Sequence, residues 1–213
     1  ESKEIPTKEE NGTFITFIPD ESVFKNFHFV QEYLDNQFWN YCYLNAGLVM
    51  NLNNKRYISK NGLLDLLQRK TNEDEIRYPI IHLQGDDIEM ALTHENSYGE
   101  EYYSFVNGQF TTQGGTHLAA FREAYVKTIR DFYKKDYDPS DIRNSIVAAL
   151  SIKVKNAIFE SQTKTKLGSQ HMTPGGQTIR NYVNDIVGRL LDKYLHMNPT
   201  VAEAIQKKIV ESE

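Results

Sequence analysis

Two short segments of this sequence hold residue types that could act on a bound anion. The first is Gln113-Gly-Gly-Thr-His117, paired glycines directly ahead of a stretch with helical periodicity. Glycines there let the backbone turn where a side chain would collide. Two readings stay open: an anion site built on free N–H groups at a helix start, or a tight strand-to-helix turn in which His117 is a hydrogen-bonded structural residue. The second segment is Phe159-Glu-Ser-Gln-Thr-Lys-Thr-Lys-Leu-Gly168, with two lysines, two threonines and a glutamine following an apolar strand pattern. An ammonium beside amide and hydroxyl donors suits a phosphate oxygen. The same composition also suits a solvated turn.

Other constellations are missing. The single cysteine, Cys42, and histidines at 28, 82, 94, 117, 171 and 196 show no zinc spacing. No Gly-x-Gly-x-x-Gly, Walker loop, Asp-x-Gly-x-Gly or Gly-x-Ser-x-Gly is present. No metal site and no self-contained active site are expected. A balance of 24 Lys and Arg against 29 Asp and Glu, net −5, argues against a domain that grips nucleic acid over its whole surface. The longest apolar run, residues 146–150, is too short to cross a bilayer, and the first residues lack a signal-peptide pattern. One cysteine permits no internal disulfide, so a reducing, cytoplasmic location is expected. Without a starting Met, and with polar first residues, the 213 residues read as part of a longer polypeptide.

The elements that must position these segments follow from apolar spacing. Residues 12–18 alternate and end at Pro19-Asp20, the pattern of a strand and turn. From Phe29 the spacing becomes helical until Gly47, and residues 48–52 and 55–59 around Asn53-Asn54 read as a hairpin. Asn61 is the expected cap of a short Leu-rich helix. Residues 80–83, 88–94 and 102–106 read as a meander with one face buried and the other largely wet. Thr116 is the expected cap of a long helix with Glu123, Lys127 and Asp131 pairing at four-residue spacing. Residues 146–154 alternate as a strand, residues 158–168 form a loop, and Thr173-Pro174 reads as the start of the most regular amphipathic helix. A last helix follows Asn198-Pro199. This order is α+β, with helices on one face of a mixed sheet.

Gly114-Gly-Thr-His117 with Phe121-Arg122, then Asp141-Ile-Arg143, Ser151-Ile-Lys-Val154 and Phe159-Glu-x-Gln-Thr-Lys-x-Lys-Leu167, closely resemble the second domain of the B subunit of bacterial type IIA DNA topoisomerases. Gln113 and the compact stretch over residues 79–106 look more like the topoisomerase IV protein than the gyrase one. The resemblance implies the ribosomal protein S5 domain 2-like fold, with a left-handed crossover that the general rule disfavours. It implies residues 1–22 as the closing strand of an upstream GHKL ATPase domain, 23–197 as the transducer domain, and 198–213 as a helix leading toward a TOPRIM domain.

On that resemblance, ATP and Mg2+ are bound mainly upstream, and Lys164 reaches across to the γ-phosphate with Gln162 beside it. Lys166 belongs to the motif without an assigned nucleotide contact. Implied partners are the upstream ATPase and downstream TOPRIM domains, the A subunit of the topoisomerase, and a transported DNA duplex held weakly, with no membrane. Candidate DNA contacts are Lys153 and Lys155 on the wet face of the strand that begins at residue 146, and Lys127, Arg130, Lys134 and Lys135 on the long helix. Two alternatives are a free-standing nucleic-acid module of the same fold and the middle domain of another GHKL ATPase, of mismatch-repair or chaperone type.

Overall fold

The computed structural model describes residues 3, 5–8 and 10–213. It divides into two units, Glu1–Asp35 and Asn36–Glu213. In the first unit residues 12–18 form no strand. Alternation provides a face, but a strand also needs a neighbour for its N–H and C=O groups, and none pairs with it among the described residues; Phe14 and Ile18 are 92% and 90% exposed. The turn at Asp20 does form. Its carboxylate accepts from the Ser22 amide at 2.8 Å and hydroxyl at 2.7 Å, and these bonds hold the acid below its usual pKa.

Helix α1 (Gln31–Leu44) runs into the second unit, followed by the hairpin β1 (Val49–Leu52) and β2 (Lys55–Ile58). Asn53 takes the positive φ of 53° that the hairpin turn requires. Helix α2 (Leu63–Lys70) begins after Gly62 rather than on an Asn61 side-chain cap. The carboxylate of Glu89 accepts from the Leu63 amide at 2.8 Å, while Asn61 turns to Asp65. The cap therefore comes from a distant strand.

Strands β3 (Ile81–Gln84), β4 (Ile88–His94), β5 (Glu100–Val106), β6 (Gln109–Phe110) and β7 (Ile146–Ile152) make one sheet in the order β3-β4-β7-β5-β6. It is mixed: β7 lies antiparallel to β4 and parallel to β5. The expected meander is thus interrupted, because β7 separates β4 from β5. Alternation sends Ile88, Met90, Leu92, Ile146, Ala148, Leu150 and Ile152 to one core. There they meet Phe121 and Tyr125 of α3 (Thr116–Tyr133) and Val183 and Val187 of α5 (Ile179–Met197).

The opposite face, expected to be largely wet, is covered. Ala91, Phe105, Val147 and Ala149 pack there with Leu63, Leu66 and Leu67 of α2 and with Tyr43 of α1. Burial on both sides explains the nearly continuous apolar run of β7. Between α3 and β7 lies the short α4 (Pro139–Arg143), started by the Asp138 carboxylate accepting from the Ser140 amide.

One further helix start differs from expectation. Thr173-Pro174 opens a turn around Gly175, whose φ is 71°, and α5 starts at Ile179 with the Thr178 hydroxyl accepting from the Asn181 amide at 3.1 Å. Helix α6 (Pro199–Ser212) begins with Pro at its first turn, as that residue's fixed φ allows. No helix of the described residues is long and apolar enough to cross a membrane.

Candidate functional site

The loop after β7 is built as a stem and a tip. Val154 is clasped by the Asn107 side chain, which accepts from the Val154 amide and donates to its carbonyl, both at 2.8 Å. Farther on, the Gly168 amide donates to the Ile158 carbonyl at 2.9 Å and the Glu160 amide to that of Lys166 at 3.0 Å. Phe159 and Leu167 form an antiparallel bridge, and Lys166 and Glu160 pair across it at 3.1 Å. The tip turns over Ser161 and Lys164, with the Lys164 amide donating to the Ser161 carbonyl at 3.0 Å. Lys164 has a left-handed φ of 55°. Gln162, Thr163 and Lys164 are exposed.

The two segments singled out in the sequence dock on each other. Gly115 and Leu167 form a parallel bridge; the Leu167 amide donates to the Gly114 carbonyl at 3.0 Å, and the Thr116 amide to that of Leu167 at 3.2 Å. The Gln113 amide donates to the Thr165 carbonyl at 2.9 Å. These bonds occupy the amides of Gln113 and Thr116, and the Gly114 amide donates to the Thr111 carbonyl. The Thr116 side chain is no helix cap: Gly115 holds that place, and the Thr116 hydroxyl donates to the Ser169 carbonyl at 2.6 Å.

His117 supports this junction from beneath. It is fully buried, with Nε2 3.1 Å from the Thr111 hydroxyl, and burial pushes its pKa down to about 4. It is therefore a neutral structural imidazole at neutral pH, as the turn reading has it. A cleft of about 440 Å3 opens beside the stem between Arg122, Glu160 and Lys166.

One ionic cluster escaped sequence reasoning. Arg122 donates to Glu100 from Nε and Nη2, both at 3.0 Å. Arg143 Nε donates to the same carboxylate at 3.2 Å, and the Tyr102 hydroxyl donates to it at 2.6 Å. Burial raises the Glu100 pKa, but these hydrogen bonds outweigh it and hold the acid below its usual value. The two arginines lie 22 and 43 residues away, beyond any local pattern. Glu123 pairs with Arg180 of α5 at 2.6 Å; that bond chiefly, and also the Lys127 charge four residues along α3, hold its pKa below the usual value.

The basic candidates fall on two elements. Lys153 and Lys155 are exposed just past β7, and Lys127 is exposed on α3. Arg130 is occupied: its Nε donates to the Tyr137 carbonyl at 2.9 Å and stands 3.0 Å from Asp136. Lys134 ends α3 in a left-handed conformation, and Lys135 pairs with Glu213 at 3.2 Å. Among the described residues no group of three or more His, Cys, Asp or Glu could hold a metal ion.

A mixed sheet carrying a stem-braced loop at the end of its central strand, with α3 started by that loop, defines a class of α+β domain also found in solved structures. The 43K ATPase domain of Thermus thermophilus gyrase B shares the fold at a TM-score of 0.72 with 24% identity, covering 91% of this chain and 56% of that one. A topoisomerase IV ATP-binding domain from Francisella tularensis does so at 0.68 with 21% identity, covering 91% and 56%. The family model DNA gyrase B matches residues 46–213, and the chain belongs to that family. The B subunit of DNA topoisomerase 4 from Borreliella burgdorferi is 41% identical over the whole chain, which covers 34% of it. The B subunit of DNA gyrase from Cytophaga aurantiaca is 30% identical over 98% of the chain and 48% of its own length. The chain thus spans about a third to a half of these relatives, and the higher identity favours the topoisomerase IV type within the family.

Proposed function

We infer that this chain is the transducer region of the B subunit of an ATP-dependent type IIA DNA topoisomerase, coupling nucleotide state in a preceding domain to DNA strand passage. The observation that carries this reading is Lys164 itself. It is an exposed cation at a turn tip, whose ammonium has no ion-pair or hydrogen-bond partner among the described residues, mounted on a stem that follows β7 in the chain and is hydrogen-bonded to the start of α3. The residues fit a contribution to a nucleotide from outside: an ammonium with the Gln162 amide close by in the chain. ATP with Mg2+, held by the preceding domain, would supply a terminal phosphate that exists only before hydrolysis.

This chain's part in the mechanism is to hold that anion with a charge-assisted bond and to pass on any displacement of the tip. The stem transmits displacement because Leu167 is bonded to Gly114 and Thr116 and lies in the core. A shift at Lys164 must then move α3 and β7 rather than be absorbed locally. A TOPRIM domain beyond α6, the topoisomerase's A subunit and a transported duplex are the partners this role requires, with Lys127, Lys153 and Lys155 as weak DNA contacts.

The test is Lys164→Ala in the full-length protein. ATP hydrolysis and ATP-dependent relaxation should fall by about 100-fold, the scale of losing one preorganised donor to a transition-state charge, with thermal stability unchanged. Normal turnover would remove the mechanism.

A further inference from the structure

Lys208 is a charged side chain in an apolar setting. It lies on α6 and is 1% exposed; burial, with the Arg77 charge nearby, pushes its pKa down to about 8, so the ammonium is still mostly charged at neutral pH. A buried ammonium needs a bonded partner, and Nζ donates to the Asp141 carbonyl at 2.6 Å. Asp141 belongs to α4, a helix of five residues, whose last carbonyls have no partner inside the helix. Lys208 serves one of them from α6. The same end of α4 also reaches the other way. Its last residue, Arg143, donates from Nε to Glu100 at 3.2 Å, and the neighbouring Asn144 side chain accepts from the Gly99 amide at 3.1 Å while donating to Ser212 of α6 at 3.3 Å. At Glu100 the two arginines are held unequally: Arg122 of α3 makes two bonds at 3.0 Å, Arg143 one longer bond. A forked pair is the stronger and more directional, so the Arg143 bond is the one that gives when α3 and α4 part.

We propose that Arg143 and Lys208 are positioning residues that couple the Lys164 loop to α6, with Glu100 as the joint. The links are consecutive. The stem bonds to the start of α3 through Leu167 and Thr116, Arg122 of that helix grips Glu100, Glu100 holds Arg143, and two residues back the Asp141 carbonyl holds Lys208. Each link is a directed polar bond that is either made or broken, and such discrete links can carry a displacement across a domain where apolar contacts would slide. Burial makes the last link obligatory. If α6 slid along α4, the ammonium would be left buried and unpaired, which is costlier than moving with its partner. Helix α6 therefore follows α4. The inference rests on the proposed role of Lys164 and names the residues that pass its movement on.

The experiment uses the full-length protein with the topoisomerase's A subunit and measures ATP hydrolysis and DNA relaxation in the same samples. In Arg143→Gln and in Lys208→Met, the relaxation achieved per ATP hydrolysed should fall by about tenfold, within the range of a coupling free energy between two sites, while hydrolysis itself changes little. Arg143→Lys should recover most of the ratio, because a single bond from Nε asks for a cation rather than a fork. Arg143→Gln/Lys208→Met should be no worse than the worse single variant, since one broken link already interrupts the series. Hydrolysis and relaxation falling together in both single variants would mean structural damage and overturn the proposal. So would an unchanged ratio in them, or a double variant whose losses multiply. If Lys208→Met does not fold, Arg143→Gln against Arg143→Lys decides, because the Arg143 side chain is 20% exposed and its loss leaves no buried charge. Failure of the Lys164 reading shows separately, as normal turnover in Lys164→Ala, whereas failure here leaves that variant impaired.

Discussion

The backbone of Leu167 passes so close to Gly115 that a Cβ at that glycine would stand 2.4 Å from the Leu167 carbonyl oxygen and 2.5 Å from its nitrogen. Gly115 also has a φ of 135°, which side-chain-bearing residues rarely adopt. Both facts require glycine there for one purpose, which is to let the start of α3 hydrogen-bond to the stem of the Gln162–Lys164 loop.

Gly115→Ala should therefore part the loop from α3. It is expected to cost roughly 1 to 3 kcal/mol from strain and lost bridging, about 2 to 4 °C of melting temperature per kcal/mol at this size, and to speed hydrogen exchange at the Leu167 and Thr116 amides. Gly47→Ala is the control. Its φ of 89° is also left-handed, but nothing lies within 4 Å of a Cβ there, so it should leave the loop's exchange unchanged.

Much of this fold is readable from residue order. Alternation along residues 146–152, the Asn53-Asn54 hairpin and the stripe of α5 are local patterns with one partner surface each. The insertion of β7 between β4 and β5 is not readable, because pairing over tens of residues leaves no periodic trace. The helix caps fail for a related reason: Asn61 and Thr116 have the right chemistry, but Glu89 and Gly115 hold those places through contacts made in three dimensions. Residues 12–18 alternate like a strand but join no ladder among the described residues. At the site, the tip residues are legible as a motif, while their union with the double glycine becomes visible only in the fold.

Two buried histidines set the acid response. His94 has Nδ1 2.5 Å from the Tyr78 hydroxyl and Nε2 3.1 Å from the Ile142 carbonyl. Burial, aided by the nearby Lys208 charge, pushes its pKa down to about 3, and burial takes His117 to about 4. A base whose folded pKa lies below the unfolded value of 6.5 takes up more protons unfolded than folded as the pH drops. Stability from both residues should be complete above that value and be lost progressively as pH falls toward 4 and then 3. Denaturant midpoints across this range check the trend, and nitrogen-detected NMR should show both rings neutral at pH values near 6.

The strand behind the loop is expected to be intolerant. Leu150 is 1% exposed in the main core, and Leu150→Ala should cost roughly 2 to 5 kcal/mol through lost burial and a cavity. Urea unfolding would measure this. A cost below about 1 kcal/mol would mean that β7 is not the rigid base assigned to it.

The central claim is that the Lys164 ammonium meets a nucleotide's terminal phosphate, and amine reactivity tests it most directly. In the full-length protein, acetylation of each lysine can be followed by mass spectrometry with a non-hydrolysable ATP analogue, with ADP, and without nucleotide. Lys164 should be protected by about tenfold or more with the analogue alone, the scale of one charge-assisted bond, while Lys134 at the end of α3 keeps its rate. Equal Lys164 reactivity in all three states would contradict the account.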